Sequence, residues 1–248
     1  MICALSLLAL QGTSTSTSTS TSTTFGTDPT EPLTRLEFSF EHADQHRDST
    51  RTALTTRFDY GFLDRFVLRA DLPFANVDPD AGRGETGIGD LRAQFGWRAY
   101  DERTFAMFFA GGVVLDTASD ELIGARSDRA FVMAAAAGAL PEIRSRLTET
   151  IEHFVSFDRD EGGDGVALTN LDIHLMTEWS PRVWTRGGTE FIVDWHAGEH
   201  TGMNLDFEIG RTSDTGFAMW IGPAVGLFGH DIDGVVDWRF TVGARWLF

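Results

Sequence analysis

The chain has 248 residues, 12% of them aromatic and 20 of them Phe, yet its mean hydropathy is −0.13. No apolar run reaches the ~20 residues that a membrane-spanning helix needs, so a chain like this crosses a bilayer only with alternating strands, whose average hydropathy stays low. A net charge of −17, from 20 basic and 37 acidic residues, argues against nucleic-acid binding, and a single cysteine leaves no disulfide framework and no cysteine-based metal site.

The chain begins with Met1 to Leu10, MICALSLLAL, apolar but short and without basic residues, which reads as the end of a secretory signal; Cys3 has almost nothing before it to mark a lipid-attachment site. Gly12 to Thr24 is nearly pure Thr-Ser repeat and cannot bury enough apolar area to fold. Residues 1–30 are therefore assigned to a signal remnant and flexible leader, and 31–248 to one folded domain.

From Leu33 onward the period is two, not 3.6. Leu36, Phe38 and Phe40 oppose Arg35, Glu37 and Glu41; Leu54, Phe58 and Tyr60 oppose Ala53, Arg57 and Asp59; Phe66, Leu68 and Leu72 oppose Arg65, Arg69 and Asp71; Leu91, Phe95 and Trp97 oppose Asp90, Arg92 and Arg98. Thr104–Leu115 and Arg129–Leu140 are strand-like but apolar or small on both faces, which would let something pack closely against one of them. Ala134–Ala137 suits a helix by propensity, but strand is the preferred reading. Arg144–Phe157 alternates poorly, with Glu149 and His153 sharing a face with Leu147 and Ile151. The pattern returns in Val166–Trp179, Val183–Ala197 and Met203–Gly210, and Phe217–Phe228 is apolar and Gly-rich. The last strand sets Val236, Trp238, Phe240, Val242, Ala244, Trp246 and Phe248 against Asp237, Arg239, Thr241, Gly243 and Arg245.

The connections alternate as well. Short links fall at Leu63-Asp64, Asp101–Arg103, Pro141–Ile143, Ser180–Arg182 and Thr212–Gly216. Longer ones fall at Ala43–Thr50, Ala75–Ile88, Asp116–Asp128 and Asp158–Gly165, with Gly198–Gly202 and Gly229–Gly234 as smaller members. Short periplasmic turns and longer outer loops are the habit of transmembrane barrels. A soluble lipocalin-like barrel would put the apolar face inside. Here the polar face carries charge at strand centres and the apolar face carries aromatics near strand ends, as interfacial girdles require; Trp184 is the exception and points inward. The fold expected is all-β: a transmembrane, antiparallel, up-and-down β-barrel of about twelve strands.

The final octet, Thr241-Val242-Gly243-Ala244-Arg245-Trp246-Leu247-Phe248, resembles the assembly signal of bacterial outer-membrane proteins. That resemblance implies the outer membrane of a Gram-negative bacterium, contact with lipid and lipopolysaccharide, and delivery by the barrel-assembly machinery. A second resemblance lies at Gly84–Leu91, GETGIGDL. It is similar to the T-G-x-G-D-hydrophobic stretch of the "MetA-pathway of phenol degradation" family of outer-membrane transporters, and it implies uptake of small solutes, aromatic or apolar ones among them. No functional residue carries over from it, and Gly87 and Gly89 equally suit a bend where a loop enters a strand.

Outer-membrane lipid hydrolases need Ser beside His on the lipid-facing surface. None of the seven histidines has Ser two residues on, and His153 and Ser156, three apart, point to opposite faces, so no enzyme is expected. His174 and His196 share the lumen face with Asp172, Glu178, Glu190 and Asp194. This is read as a solvated hydrogen-bond ladder in preference to a metal or proton-linked site. Asp158–Gly165 and His230–Gly234 lack the full spacing of a calcium loop, so neither a metal nor a cofactor is expected. Their carboxylates could bridge lipopolysaccharide through divalent ions. The expected role is passive, porin-like passage of a small solute past a lumen lined by Arg57, Arg69, Arg92, Asp172, His174, Glu190, Asp194, Asp237 and Arg239. An inward-folded Ala75–Ile88 loop, or the Ala/Gly-rich middle strands, would instead close the pore and leave a structural or adhesive barrel.

Overall fold

A computed structural model describes residues 27–45, 49–80, 82–125, 127–157, 166–195, 200–229, 232 and 234–248. The expected signal remnant, the Thr-Ser repeat, His196, the loop 158–165 and most of the segment 230–234 lie outside the described residues. Among the described residues thirteen strands run in chain order: β1 Arg35–Gln45, β2 Ser49–Phe62, β3 Phe66–Pro79, β4 Glu85–Ile88, β5 Leu91–Glu102, β6 Phe105–Leu115 and β7 Arg129–Leu140. They continue as β8 Ser145–Ser156, β9 Ala167–Ser180, β10 Val183–Asp194, β11 His200–Thr212, β12 Phe217–Phe228 and β13 Val236–Leu247.

Apart from β4 and β5, strands next to one another in the chain pair antiparallel, and β13 pairs with β1, so the sheet closes on itself. β4 and β5 both pair with β3, β4 against Phe74–Val77 and β5 against Phe66–Asp71. They are two lengths of one stave, broken at Gly89 and Asp90, which makes a barrel of twelve staves. The β1–β13 pairing leaves neither chain-end strand with an open edge, as hydrocarbon demands of a sheet.

Alternation sorts the side chains by face. Phe40, Leu54, Phe58, Leu68, Phe95, Leu205 and Ile221 stand outward and exposed, while the charged partners of the same strands turn inward. Trp97, Trp179 and Trp246 ring the short-turn end, and Trp195 and Trp238 ring the other. Their indoles donate hydrogen bonds from Trp179 to Thr185 Oγ1 and from Trp195 to Thr169 Oγ1. This outer band of aliphatics edged by amphipathic rings is the surface a bilayer solvates.

The alanine run is strand. Ala135 and Ala137 are buried on the inner face, and β7 pairs with β6 and β8 along its length, two ladders that a helix would forfeit. Two expected loops are corrected. In Ala43–Thr50, Ala43–Gln45 and Ser49–Thr50 are strand, and Ala75–Ile88 is mostly the β3–β4 hairpin, so it extends the wall and does not fold inward as a plug. Period-two alternation runs on through Asn76 and Asp78, where polar residues on the outer face had masked the strand.

At the short-turn end β2 turns into β3 through Leu63 and Asp64, both with positive φ, at 52° and 55°. Paired left-handed residues give the turn twist that hairpin strands need, although L side chains resist it.

Candidate functional site

The lumen has two walls of different chemistry. One runs through β13, β1, β2, β3 and β5. Register places Glu37 between Arg57 and Arg245, Asp59 between Arg35 and Arg69, and Asp71 between Arg57 and Arg92. Arg57 donates from Nε to Asp71 Oδ1 at 2.7 Å and from Nη2 to Oδ2 at 3.1 Å. Arg69 makes the same fork to Asp59 at 2.8 and 3.0 Å, and Arg35 Nε lies 2.7 Å from the second oxygen. Arg245 pairs with Glu37 at 3.4 Å and lies 4.1 Å over the Trp220 ring. Bidentate geometry makes these among the stronger ion pairs available to a protein.

Arg92 leaves this wall and crosses two strands. Its guanidinium passes 4.2 Å over Phe131 and reaches Glu152 on β8 at 2.6 and 3.3 Å. The small inward residues of β6 and β7, Gly112 and Ala135 among them, leave room for that arm and for Phe131; a Cβ on Gly112 would stand 2.6 Å from the Phe131 ring. This is the close packing that small residues on both faces led one to expect.

The second wall, β9 to β11, is acidic. Asp172 and Glu190 are direct cross-strand partners, and Asp172 has no hydrogen bond or ion pair among the described residues. His174 Nε2 lies 2.9 Å from Asp206 Oδ1, and Arg186 pairs with Glu208 at 3.2 Å. Asn204, fully buried, donates to Glu190 Oε2 and to the Gly234 carbonyl and accepts from Val236 N. Arg239 links the walls, 4.0 Å from Glu190 and 3.9 Å from Glu41. A cavity of about 210 Å³ opens here, and another of about 310 Å³ lies between the two walls.

Of the expected lining residues, Arg57, Arg69 and Arg92 belong to the paired wall, while Asp172, His174, Glu190 and Arg239 gather on the first of these cavities. Asp194 and Asp237 are not brought to it. Asp194 ends β10 opposite His200 and Leu168, and Asp237 falls at a register break, where Asp44 faces Trp238 and Gln45 faces Val236. Asp59, Asp71, Glu152, Glu208 and Arg245 are not among the lining residues expected from the sequence. Their inward phase is plain in the sequence, but their importance is pairwise and needs the register.

The two mouths differ. At the long-loop end the segment 116–125 lies against the broken stave. Ser119 N donates to Ile88 O, Thr117 Oγ1 bridges Gly89 O and Leu91 N, and Asp90 Oδ2 accepts from Ala125 N at 2.8 Å. A Cβ on Gly87 would overlap Ser119, so GETGIGDL is here a seat for a loop. Below it is a cavity of about 600 Å³ whose lining includes Val114, Ile123, Phe154, Leu168 and Arg51. At the short-turn end Met176, Trp184 and Trp220 form an apolar floor beneath Thr27–Thr30. Trp184, expected inward, is fully buried against Gly210, and Trp220 lies against Gly243.

On the outer surface His153 Nδ1 bonds Thr169 Oγ1, while Ser156 is buried on the inner face. Among the described residues no three of His, Cys, Asp and Glu come together to hold a metal ion, and no helix is long and apolar enough to cross a membrane.

No family model and no curated protein matches the chain. Solved structures do match. The COG4313 outer membrane channel from Pseudomonas putida F1 is similar with a TM-score of 0.66 at 13% identity, over 88% of this chain and 96% of that one. The NanC porin gives 0.60 at 7% identity, over 86% and 98%, and the KdgM porin in complex with disordered oligogalacturonate gives 0.57 at 8%, over 86% and 99%. The fold is that of a bacterial outer-membrane β-barrel. The lipid-facing band and the charged lumen fit that setting.

Proposed function

We propose that the protein is an outer-membrane channel that passes small solutes passively, aromatic or apolar ones among them. The observation that carries the reading is the acidic wall. Asp172 faces Glu190 across β9 and β10 beside open volume, and with Glu190 held by Asn204 and Arg239 it is the Asp172 carboxyl that acts on whatever passes. The mouth cavity, with Phe154, Ile123 and Leu168 beside Arg51 and Arg92, offers apolar contact to a ring and a cation to its polar group, as the resemblance of GETGIGDL implies. The similarity in fold to channels and porins supports the same role. The lumen-lining assignments and the contacts with lipopolysaccharide and the assembly machinery belong to this proposal.

The test is current through single proteins in planar bilayers. Conductance is expected, and replacing Asp172 by Asn together with Glu190 by Gln is expected to shift the reversal potential toward anions. A benzoate gradient should carry more current than a gluconate gradient. Absence of both current and solute flux would leave a closed structural barrel, a reading that the tucked segment at the short-turn end favours.

A further inference from the structure

We propose that residues Thr27–Thr30 form a bar across the short-turn, periplasmic mouth of the lumen, latched by Asp28 to Arg146, and that its release opens the passage; this rests on the channel reading. β1 begins at that end with Arg35, and the chain before it turns inward over the rim at Gly61, where a Cβ would stand 2.2 Å from the Pro32 carbonyl oxygen. Gly61 N also donates to Thr34 Oγ1, fixing the point of entry.

The segment then crosses the lumen. In the ring of twelve staves β8 is the sixth from β1 in either direction, so the two are diametrically opposed. Arg146 of β8 lies 2.5 Å from Asp28 Oδ2, and Met176 of β9 accepts a contact from Thr27 Oγ1 at 2.6 Å. Thr30 and Asp28 are 0% and 3% exposed, enclosed by the walls without belonging to either. Asp28 Oδ1 accepts from Thr30 N and Oγ1, which folds the bar into its own turn.

Residues 27–30 form no strand and join no ladder. A wall element is held by a row of backbone bonds, whereas this one meets the far wall through an ion pair and small side-chain contacts. Such a bar can leave without unfolding the barrel. Its departure removes one carboxylate from the lower lumen and exposes Arg146, which makes the opened mouth more favourable to anions.

The experiment uses the full chain with Cys3→Ser and Met176→Cys, so that a membrane-impermeant thiol reagent reports cover over one position while bilayer recordings report current. Asp28→Ala is expected to raise both the labelling rate and the open fraction several-fold, and Arg146→Ala to do the same. The exchange Asp28→Arg with Arg146→Asp should restore both to the starting level, which a loss of folding would not do. Labelling and current unchanged in Asp28→Ala overturn the bar and leave the channel standing. Labelling that rises while no variant conducts keeps the bar and overturns the channel.

Discussion

The two walls of the lumen carry similar residue types and use them differently. On β1 to β3 and β5 the acids and arginines alternate from strand to strand, so Asp59 meets Arg35 on one side and Arg69 on the other. On β9 to β11 an acid meets an acid, Asp172 against Glu190, and the nearest arginines are spread between Glu208, Glu41 and Glu190. Charges that satisfy one another build the wall, and charges left unmatched are available to a solute. Under the proposed channel function, the side with worse pairing is the one that acts on a solute.

The contrast breaks most visibly at Asp59. Its side chain is 4% exposed and holds two guanidinium groups. Asp59→Ala leaves Arg35 and Arg69 buried with their shared partner gone, and removing one member of a buried pair costs about 3–5 kcal/mol. Refolding yield into detergent micelles, read as the heat-modifiable band on a gel, should fall sharply. Asp172→Asn on the other wall should leave that yield unchanged or slightly raised, since like charges directly opposite are destabilising. Equal losses at the two sites would show that the walls do not differ.

Glycine notches give the next effect. Trp184 lies flat on Gly210, where a Cβ would stand 2.2 Å from the indole. Gly210→Ala is expected to cost about 1–3 kcal/mol as the ring is forced from its site. It should also shift the tryptophan fluorescence, because the floor of Met176, Trp184 and Trp220 loosens. Gly138→Ala, with open space around the added carbon, should change neither.

Much of this is legible in the sequence. Period-two alternation locates the staves because a strand has only two faces, and charge on one face with aromatics on the other decides which face meets lipid. The alanine run needed the ladders of β6 and β8 to settle it as strand. Asp237 carries the right phase, yet a register break takes it out of the row, and alternation does not announce a bulge. The ladder itself was hidden for a deeper reason. That Arg92 would reach past β6 and β7 to Glu152 depends on what those strands leave empty, a property of three neighbours taken together. The bar at the short-turn end lay inside the stretch read as leader, since Thr27–Thr30 has the composition of a flexible segment and is held by partners more than a hundred residues away.

The smallest effect is expected at a turn within the paired wall, between β2 and β3. Leu63 and Asp64 both take positive φ, and a left-handed conformation costs an L side chain roughly 1–2 kcal/mol per residue. Asn followed by Gly is the pair preferred by a turn whose two central residues both take positive φ. Leu63 is also among the most solvent-exposed apolar side chains, so its replacement gives up little burial. Leu63→Asn with Asp64→Gly should therefore stabilise the β2–β3 hairpin by about 1 kcal/mol, part of the relief being offset by the freedom glycine adds to the unfolded chain. Unfolding in urea would show it as a higher midpoint with an unchanged slope. Because the turn touches the paired wall and lies far from Asp172 and Glu190, the reversal potential should not move. A shift in selectivity from this exchange would mean that the paired wall, too, faces the solute.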